Sequence, residues 1–250
     1  MNPSGKNVLI VGATSAIARA LADRLAAGGA ALVLAGRDAE ETERIARDLR
    51  IRHDEAELHE ARFEATNHEV HEALLDDAER ELGGLDGVIW AVGMLGEQER
   101  DERDAAHARQ VIDVNFTGAA SLLGRAANRL EAQRSGFIAA LSSVAGDRGR
   151  ASNYVYGSAK SGLSAFVEGL RGRLHDAGVR VLTVKPGFVD TKMTFGDPDT
   201  FLVASPERVA DAVMTGLRRE RNELYVPWFW RWIMLGIRLT PEAIFKRLRI

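Results

Sequence analysis

Hydrophobic segments of strand length alternate along the chain with longer segments of helical spacing. Residues 8–11 and 31–35 are apolar at every position, which is typical of strands covered on both faces. Residues 17–27 place apolar side chains at helical intervals, and Gly28-Gly29 ends that segment. The predicted strands are residues 8–11, 31–35, 57–63, 88–91, 137–141, 179–184 and 223–226. The predicted helices are residues 17–27, 39–50, 68–82, 105–130, 156–177 and 206–218.

This strand–helix–strand order predicts an α/β fold, a doubly wound (Rossmann) parallel sheet with helices on both faces. The sequence has no linker rich in Pro, Gly or Ser, so we expect a single domain. Residues 1–226 are predicted to form its body. Residues 227–250 are predicted to form an aromatic and basic C-terminal tail of the same domain.

The composition limits the classes of function. The 33 Lys and Arg against 36 Asp and Glu give a formal charge of −3, which disfavours a nucleic-acid partner because phosphate binding needs a basic face. The sequence has no cysteine, which excludes disulfides, thiolate zinc sites and a cysteine nucleophile and fits a reducing cytosol. It shows neither a signal-peptide pattern nor an apolar run of about 18 residues, so we expect a cytoplasmic protein.

Other catalytic classes find little support in the sequence. His68 and His71 lie three positions apart without a third ligand at a recognisable spacing, so we interpret them as a surface pair and predict no metal site. The chain also lacks a Gly-x-Ser-x-Gly elbow and a phosphate-loop lysine, which disfavours hydrolase and nucleotide-hydrolysing activities.

A turn of small residues, GATSAIA at 12–18, connects the first predicted strand to a helix. Such a turn aims helix N–H groups at a pyrophosphate, and Gly12 leaves room for the ligand. We therefore expect a dinucleotide at Gly12, Thr14, Ser15, Ala16 and Ile17. The alternative is a plain strand–turn–helix corner.

Tyr156 and Lys160 are four positions apart and share one face of a predicted helix. An ammonium about 5 Å from a phenol favours the phenolate by about 3 kcal/mol, or about two pKa units. We therefore expect Lys160 to lower the pKa of Tyr156 and make it a general acid. Tyr154 lacks such a partner because Ser158 lies four positions after it.

These motifs resemble those of the short-chain dehydrogenase/reductase family. The family's three turn glycines correspond to Gly12, Ala16 and Ala18. Ser143, thirteen positions before Tyr156, ends a predicted strand, and its hydroxyl can hold a substrate carbonyl for hydride attack, whereas Ser142 should face elsewhere.

The resemblance implies further site residues. Asn115 corresponds to an asparagine that binds a water on a proton relay, and Lys160 to a lysine that also reaches the nicotinamide ribose. The remaining cofactor-binding positions implied by the resemblance are Glu64, Ala65, Ala91, Val92, Gly93, Pro186, Gly187, Val189 and Thr191.

Arg37 and Asp38 bear on the choice of nicotinamide cofactor. A carboxylate at the tip of the second strand would bind the ribose 2′-hydroxyl, but the tip residues are Ala35 and Gly36 and the next is Arg37, whose guanidinium suits a 2′-phosphate. The sequence thus favours NADP(H), with NAD(H) as the alternative if Asp38 turns inward.

The C-terminal tail is unusual in composition. Trp228, Trp230 and Trp232 fall within five positions, and residues 225–250 hold five Lys and Arg against one Glu. Tryptophan beside arginine in a run too short to span a bilayer is typical of an interfacial helix. The alternatives are a lid over the substrate cleft or a subunit interface.

Three segments resemble the decaprenylphosphoryl-2-keto-erythro-pentose reductase branch of the family: GDR at 146–148, NYVYGS at 153–158 and IFKRL at 244–248. The resemblance implies a lipid-linked keto sugar as substrate and peripheral contact with the inner face of the membrane. The alternative substrates are a small ketone, a steroid or a 3-oxoacyl group. A nucleotide-binding scaffold of low activity is a hypothesis of another class.

The predicted helices at 105–130 and 156–177 resemble those through which family members associate. This resemblance implies a homodimer or homotetramer.

Overall fold

The structure is a computed structural model and describes residues 2–191 and 202–248. Its strands are β1 (Asn7–Val11), β2 (Ala31–Gly36), β3 (Leu58–Arg62), β4 (Gly87–Trp90), β5 (Phe137–Leu141), β6 (Arg180–Pro186) and β7 (Glu223–Val226). They form one sheet in the order β3-β2-β1-β4-β5-β6-β7, and every neighbouring pair is parallel. The predicted doubly wound parallel sheet is confirmed.

The helices alternate with these strands along the chain. They are α1 (Ala16–Ala27), α2 (Ala39–Arg52), α3 (His71–Leu82), α4 (Gln98–Asp101), α5 (Ala105–Ile112), α6 (Gly118–Gln133), α7 (Tyr154–Leu174), α8 (Pro206–Arg218), α9 (Trp230–Leu239) and α10 (Glu242–Phe245). The single helix predicted over 105–130 is interrupted by a π-helical turn at Asp113–Thr117. No helix in the described ranges is long and apolar enough to cross a membrane.

Both faces of the sheet are buried, as the unbroken apolar strands predict. Along β1, Val8 and Ile10 point toward a core shared with α1, α2 and α8. Leu9 and Val11 point toward a second core shared with α3, α6 and α7. The alternation of side chains along each strand thus supplies two hydrophobic layers.

The order of the strands reverses beside β1, which pairs with β2 on one side and with β4 on the other. In open α/β sheets, ligands bind in the crevice beyond the carboxyl ends of the strands at such a reversal. The segments that follow β1, β4, β5 and β6 therefore form the candidate site.

Candidate active site

The turn after β1 is shaped by the neighbouring turn after β4. Gly12 has a φ of 87°, and a Cβ there would lie 2.7 Å from the carbonyl carbon of Ala91 and from the nitrogen of Val92. The missing Cβ of Gly12 thus leaves room for the backbone of the turn after β4. Gly12 is required because two turns of the chain meet at this point.

Ser15 is the N-cap of α1, and its hydroxyl accepts a hydrogen bond of 3.2 Å from the N–H of Ala18. Thr14, Ala16 and Ile17 are partly exposed around this helix start, where unpaired N–H groups favour an anion. Ala18, which replaces a family glycine, is fully buried in the core, so the added methyl group is accommodated by packing.

Asp38 and Arg37 have different surroundings at the end of β2. Asp38 is the N-cap of α2, and its carboxylate accepts a hydrogen bond of 3.0 Å from Glu41 N–H. Arg37 is exposed, and no ion pair involving it occurs among the described residues. The carboxylate of Asp38 is therefore engaged by its own helix, and the guanidinium of Arg37 is available.

The segments after β3 and β4 lie close to the same crevice. Ala65 is buried, and its carbonyl contacts Gly118 at the start of α6 so closely that a Cβ there would overlap it. Glu64 is half-buried and accepts a hydrogen bond of 3.3 Å from Thr66. In the turn after β4, Ala91 is buried, whereas Val92 is partly exposed and Gly93 is exposed.

Ser143 follows β5 and starts a 3₁₀ turn at Val144–Gly146. Its hydroxyl accepts a hydrogen bond of 3.1 Å from Ala145 N–H and also contacts the phenol of Tyr156. Ser142 faces away as expected, because its hydroxyl donates to the Lys160 carbonyl at 3.0 Å. The alternation of strand side chains thus sends one serine to the site and the other to α7.

Two glycines hold the turn after Ser143 against α7. A Cβ on Gly146 would lie 2.7 Å from the carbonyl carbon of Lys160, and a Cβ on Gly157 would lie 2.9 Å from the carbonyl oxygen of Ala145. The two backbones therefore approach to a distance that only glycine allows. This approach sets the position of Ser143 relative to Tyr156.

Tyr156 is buried in an apolar cluster with Val111, Ala145 and Val155. Burial raises the pKa of Tyr156 to about 12, and the hydrogen bond with Ser143 only partly opposes that shift. The prediction that Lys160 lowers the pKa of Tyr156 is therefore wrong for the protein alone. The loss of phenolate hydration on burial outweighs the stabilisation of the phenolate by Ser143.

Lys160 is buried one helical turn from Tyr156. Its Nζ lies 5.8 Å from the centre of the Tyr156 ring and donates a hydrogen bond of 3.0 Å to the Leu141 carbonyl. Burial lowers the pKa of Lys160 to about 7, because a neutral carbonyl replaces water around the ammonium. A lysine with this pKa exchanges protons near neutral pH. Tyr154, by contrast, is 42% exposed.

Asn115 lies in the π-helical turn, and its side chain is fully buried. Its amide nitrogen donates to the carbonyls of Met94 at 2.7 Å and Val111 at 2.8 Å, and its amide oxygen accepts from Met94 N–H at 3.2 Å. Both amide N–H groups are thus used to fasten the segment after β4 to the helix. The side chain of Asn115 has no N–H left for a water on a proton relay.

The segment after β6 is covered by the C-terminal tail. A Cβ on Gly187 would overlap the indole of Trp230, and Phe188 packs against that indole at 5.8 Å. Val189 is buried and pairs with Ala204. Pro186 is buried at the end of β6, and Thr191 is partly exposed at the limit of the described range.

Arg148 has a role that the sequence analysis missed. Its guanidinium donates to the carbonyls of Ile237 and Thr240 at the end of α9, pairs with Glu242 at 3.1 Å and lies 3.6 Å from the centre of the Phe245 ring. The segments 146–148 and 244–248, which carry the resemblance to one branch, are therefore in contact.

A buried ionic cluster anchors the same turn from the other side. Lys185 of β6 pairs with Asp147 at 2.8 Å and with Glu223 at 2.6 Å, and the hydroxyl of Tyr225 donates to Asp147 at 2.7 Å. Burial alone would lower the pKa of Lys185, but the two carboxylates raise it. A lysine among the buried positions of β6 marks this cluster.

The prediction that His68 and His71 form a surface pair is wrong for His71. His71 is fully buried, contacts Phe63 and shares a hydrogen bond of 3.0 Å with Ser121. Burial lowers the pKa of His71 to about 4. Among residues 2–191 and 202–248, no group of three or more acidic, His or Cys side chains forms a metal site.

The structure thus brings Ser143, Tyr156 and Lys160 together beyond the carboxyl ends of the strands, with the turns that start at Gly12 and Ala91 alongside. A phenol and a hydroxyl can bind one carbonyl oxygen, and an amine of near-neutral pKa can return a proton to the phenol.

Comparison with known proteins agrees with this geometry. The family described as short chain dehydrogenase matches residues 6–199. An uncharacterized oxidoreductase of Mycobacterium tuberculosis is 39% identical over 241 residues, covering 96% of each chain. An uncharacterized oxidoreductase of Streptomyces coelicolor is 40% identical over 248 residues, covering 97% of this chain and 96% of the relative.

Solved structures share the same fold. A short-chain dehydrogenase from Sphingobium yanoikuyae in complex with NADPH aligns over 97% of this chain and 96% of its own, with a TM-score of 0.82 and 25% identity. A short-chain type dehydrogenase/reductase from Mycobacterium ulcerans, 20% identical, aligns over 90% of this chain and 89% of its own with a TM-score of 0.81.

Proposed function

Because the chain belongs to the short-chain dehydrogenase/reductase family and is an NAD(P)-dependent oxidoreductase, we propose that it reduces a ketone to an alcohol with NADP(H). The observation that carries this proposal is the contact of the Ser143 hydroxyl with the Tyr156 phenol beside Lys160. The presence of all three residues argues against a nucleotide-binding scaffold of low activity.

In the proposed reaction, Ser143 and Tyr156 bind the oxygen of the ketone. A bound nicotinamide cofactor would supply the hydride for the carbonyl carbon. Tyr156 donates its proton to the oxygen of the ketone. A pKa of about 12 keeps Tyr156 protonated at neutral pH, which is the state that reduction requires. Lys160 then returns a proton to Tyr156, and Asn115 supports this end of the site by holding Met94 in place.

The turns around the crevice fit a dinucleotide. We assign the pyrophosphate to the start of α1, because the first N–H groups of a helix have no partner within the helix and favour an anion. The residues assigned to this contact are Gly12, Thr14, Ser15, Ala16 and Ile17. Those assigned to the adenine and nicotinamide portions are Glu64, Ala65, Ala91, Val92, Gly93, Pro186, Gly187, Val189 and Thr191, with Tyr156 and Lys160 beside the nicotinamide ribose.

Arg37 supports the preference for NADP(H) over NAD(H). Arg37 is exposed just after β2, while the carboxylate of Asp38 caps α2 by accepting a hydrogen bond from Glu41 N–H. An arginine at this position suits a 2′-phosphate. The NADPH complex of the Sphingobium relative is consistent with the same cofactor class.

For the substrate, we propose a ketone carried on a lipid, such as the keto sugar of the decaprenylphosphoryl-2-keto-erythro-pentose reductase branch. The contact of Arg148 with Phe245 joins two of the three segments that resemble this branch. A small ketone, a steroid or a 3-oxoacyl group is the second candidate, since the catalytic residues themselves act on any ketone.

The assembly that we propose is a homodimer or homotetramer of a single domain. Residues 1–226 form its dinucleotide-binding and catalytic body, and residues 227–250 form its tail. We place the enzyme in the cytoplasm at the inner face of the membrane, where a lipid-linked substrate would be reached.

The test is a panel of ketones assayed for oxidation of NADPH and of NADH, with Arg37→Ala as the paired variant. We expect ketone-dependent oxidation with a preference for NADPH, and a KM for NADPH that rises at least tenfold in Arg37→Ala while that for NADH stays within twofold. The absence of any ketone-dependent oxidation would contradict the proposed reaction. Equal changes for both cofactors would contradict the role of Arg37.

A further inference from the structure

Helix α9 is apolar on two opposite faces. Its inner face places Trp230 and Met234 against Val144, the residue after Ser143, and both side chains are buried. The opposite face, with the preceding turn, carries four apolar side chains that protrude into solvent. We call these residues the outer face: Trp228 (68% exposed), Trp232 (61%), Leu235 (41%) and Leu239 (73%).

The spacing of the outer face follows the helix. Trp232, Leu235 and Leu239 recur at intervals of three and four positions, so they form one stripe. An apolar face of a helix is normally buried, and in the part of the chain that the structure describes the apolar contacts of α9 with the body lie on its inner face. Within residues 2–191 and 202–248, the outer face therefore remains exposed to solvent.

The charges beside this stripe are positive. Arg231 and Arg238 are two helical turns apart on one flank, both are exposed, and neither forms an ion pair among the described residues. Lys246 and Arg247 are exposed just beyond α10, together with the apolar side chain of Ile244.

The acidic residue of this region does not neutralise these cations. Glu242 is the one Asp or Glu after Val226 in the sequence, and its carboxylate pairs with Arg148 at 3.1 Å. The chain as a whole carries −3, whereas residues 225–250 hold five Lys and Arg against one Glu. The segment of the sequence that carries the outer face is therefore more basic than the chain as a whole.

We propose that the outer face of α9 docks on the surface of an anionic lipid bilayer. Tryptophan and leucine enter the boundary between headgroups and acyl chains, while arginine and lysine contact lipid phosphates. A second copy of the chain is a poorer partner. A twofold contact through this face would bring Arg231 and Arg238 close to the same arginines of the other copy, and these like charges would repel.

Docking by this face has a consequence for the cleft. The inner face of the same helix contacts Val144, Phe188 and the Gly187 backbone beside the catalytic serine. A bilayer on the outer face would thus lie one helix diameter from the substrate side of the site. The docking proposal itself rests on exposure and charge and does not require the proposed reaction.

The experiment is sedimentation of the full chain with vesicles of phosphatidylcholine alone or with 30% phosphatidylglycerol. We expect at least tenfold stronger binding to the anionic vesicles, weakened by salt. In Trp232→Ser/Leu239→Ser this binding should fall at least tenfold. Ile51→Ser is the matched control, because Ile51 on α2 is also 73% exposed, and it should bind like the parent.

A second pair of variants tests the charges. Arg231→Gln/Arg238→Gln should weaken binding to the anionic vesicles at least fivefold, whereas Arg44→Gln/Arg47→Gln, which removes the same charge from α2, should change it less than twofold. Circular dichroism should show all variants folded.

Failure of the parent to sediment with anionic vesicles would overturn the proposal. So would unchanged binding by the outer-face variant, or a loss of oligomeric state in that variant by analytical ultracentrifugation, which would identify the face as a subunit interface. Turnover in buffer without vesicles tests the proposed reaction separately.

Discussion

The buried amine of Lys160 and the buried phenol of Tyr156 respond to the same desolvation in opposite ways. Burial lowers the pKa of Lys160 to about 7 and raises that of Tyr156 to about 12, because each group is disfavoured in its charged form. Above neutral pH the pair is therefore neutral, with the transferable proton on Tyr156. That arrangement suits proton donation to a ketone more than proton abstraction from an alcohol.

This shift of Lys160 predicts a change of stability with pH. An unfolded lysine has a pKa of about 10.4, so between pH 7 and 10 the unfolded chain binds more protons than the folded one. The free energy of unfolding contributed by this group therefore rises with pH, by up to about 1.4 kcal/mol per unit.

Lys160→Met removes that contribution. We would measure the free energy of unfolding of both nucleotide-free proteins in urea at pH 7, 8 and 9. From pH 7 to pH 9, that of the parent should rise by about 2 kcal/mol relative to that of the variant. A difference between the two proteins that stays constant with pH would mean that Lys160 keeps its charge when folded.

At the scale of elements, the 3₁₀ turn after β5 and the start of α7 are held together by close backbone contact. Gly146 and Gly157 make this contact possible, and Ser143 and Tyr156 lie on either side of it. Asp147 and Arg148, in the next two positions, tie the same turn to β6 and to the end of α9. The turn is therefore fixed from three directions.

Gly146→Ala should displace Ser143 from Tyr156. The added Cβ meets the Lys160 backbone at 2.7 Å, so we expect a loss of about 1–3 kcal/mol in unfolding free energy and at least a tenfold loss of kcat/KM. Gly149→Ala is the control, since a Cβ there meets nothing within 4 Å. Equal activity of the two variants would show that the turn does not set the position of Ser143.

The local pattern was sufficient for most elements. Strand β5 and helix α8 have the predicted bounds, 137–141 and 206–218. The π-helical turn within the predicted helix at 105–130 depends on hydrogen bonds from Asn115 to Met94, a residue of a different element. Helical periodicity carries no information about such a contact.

Contacts between residues distant in sequence could likewise not be predicted from the local pattern. Arg148 bonds to carbonyls of Ile237 and Thr240, which are 89 and 92 positions away. The burial of Tyr156, which raises its pKa, comes from Val111 and Ala145 on other elements. The sequence indicated which residues form the site, but their protonation depends on packing that spacing alone does not encode.

At the scale of the whole molecule, the sheet has the doubly wound strand order that alternating strands and helices favour. This order places residues from Gly12 to Gly187 together beyond the carboxyl ends of the strands, although they span most of the chain. The tail completes this arrangement by covering the segment after β6. The same helix thus contacts the catalytic edge on one side and solvent on the other.

The central claim is that Tyr156 donates the proton that completes hydride transfer to a ketone. We would measure deuterium transfer from 4-deuterated NADPH to a ketone by mass spectrometry of the alcohol, in the parent, Tyr156→Phe and the control Tyr154→Phe, whose side chain is exposed. Tyr156→Phe should transfer deuterium about 10²–10⁴-fold more slowly, with NADPH affinity within twofold of the parent, and Tyr154→Phe should match the parent. Transfer by Tyr156→Phe at the rate of the parent would contradict the account.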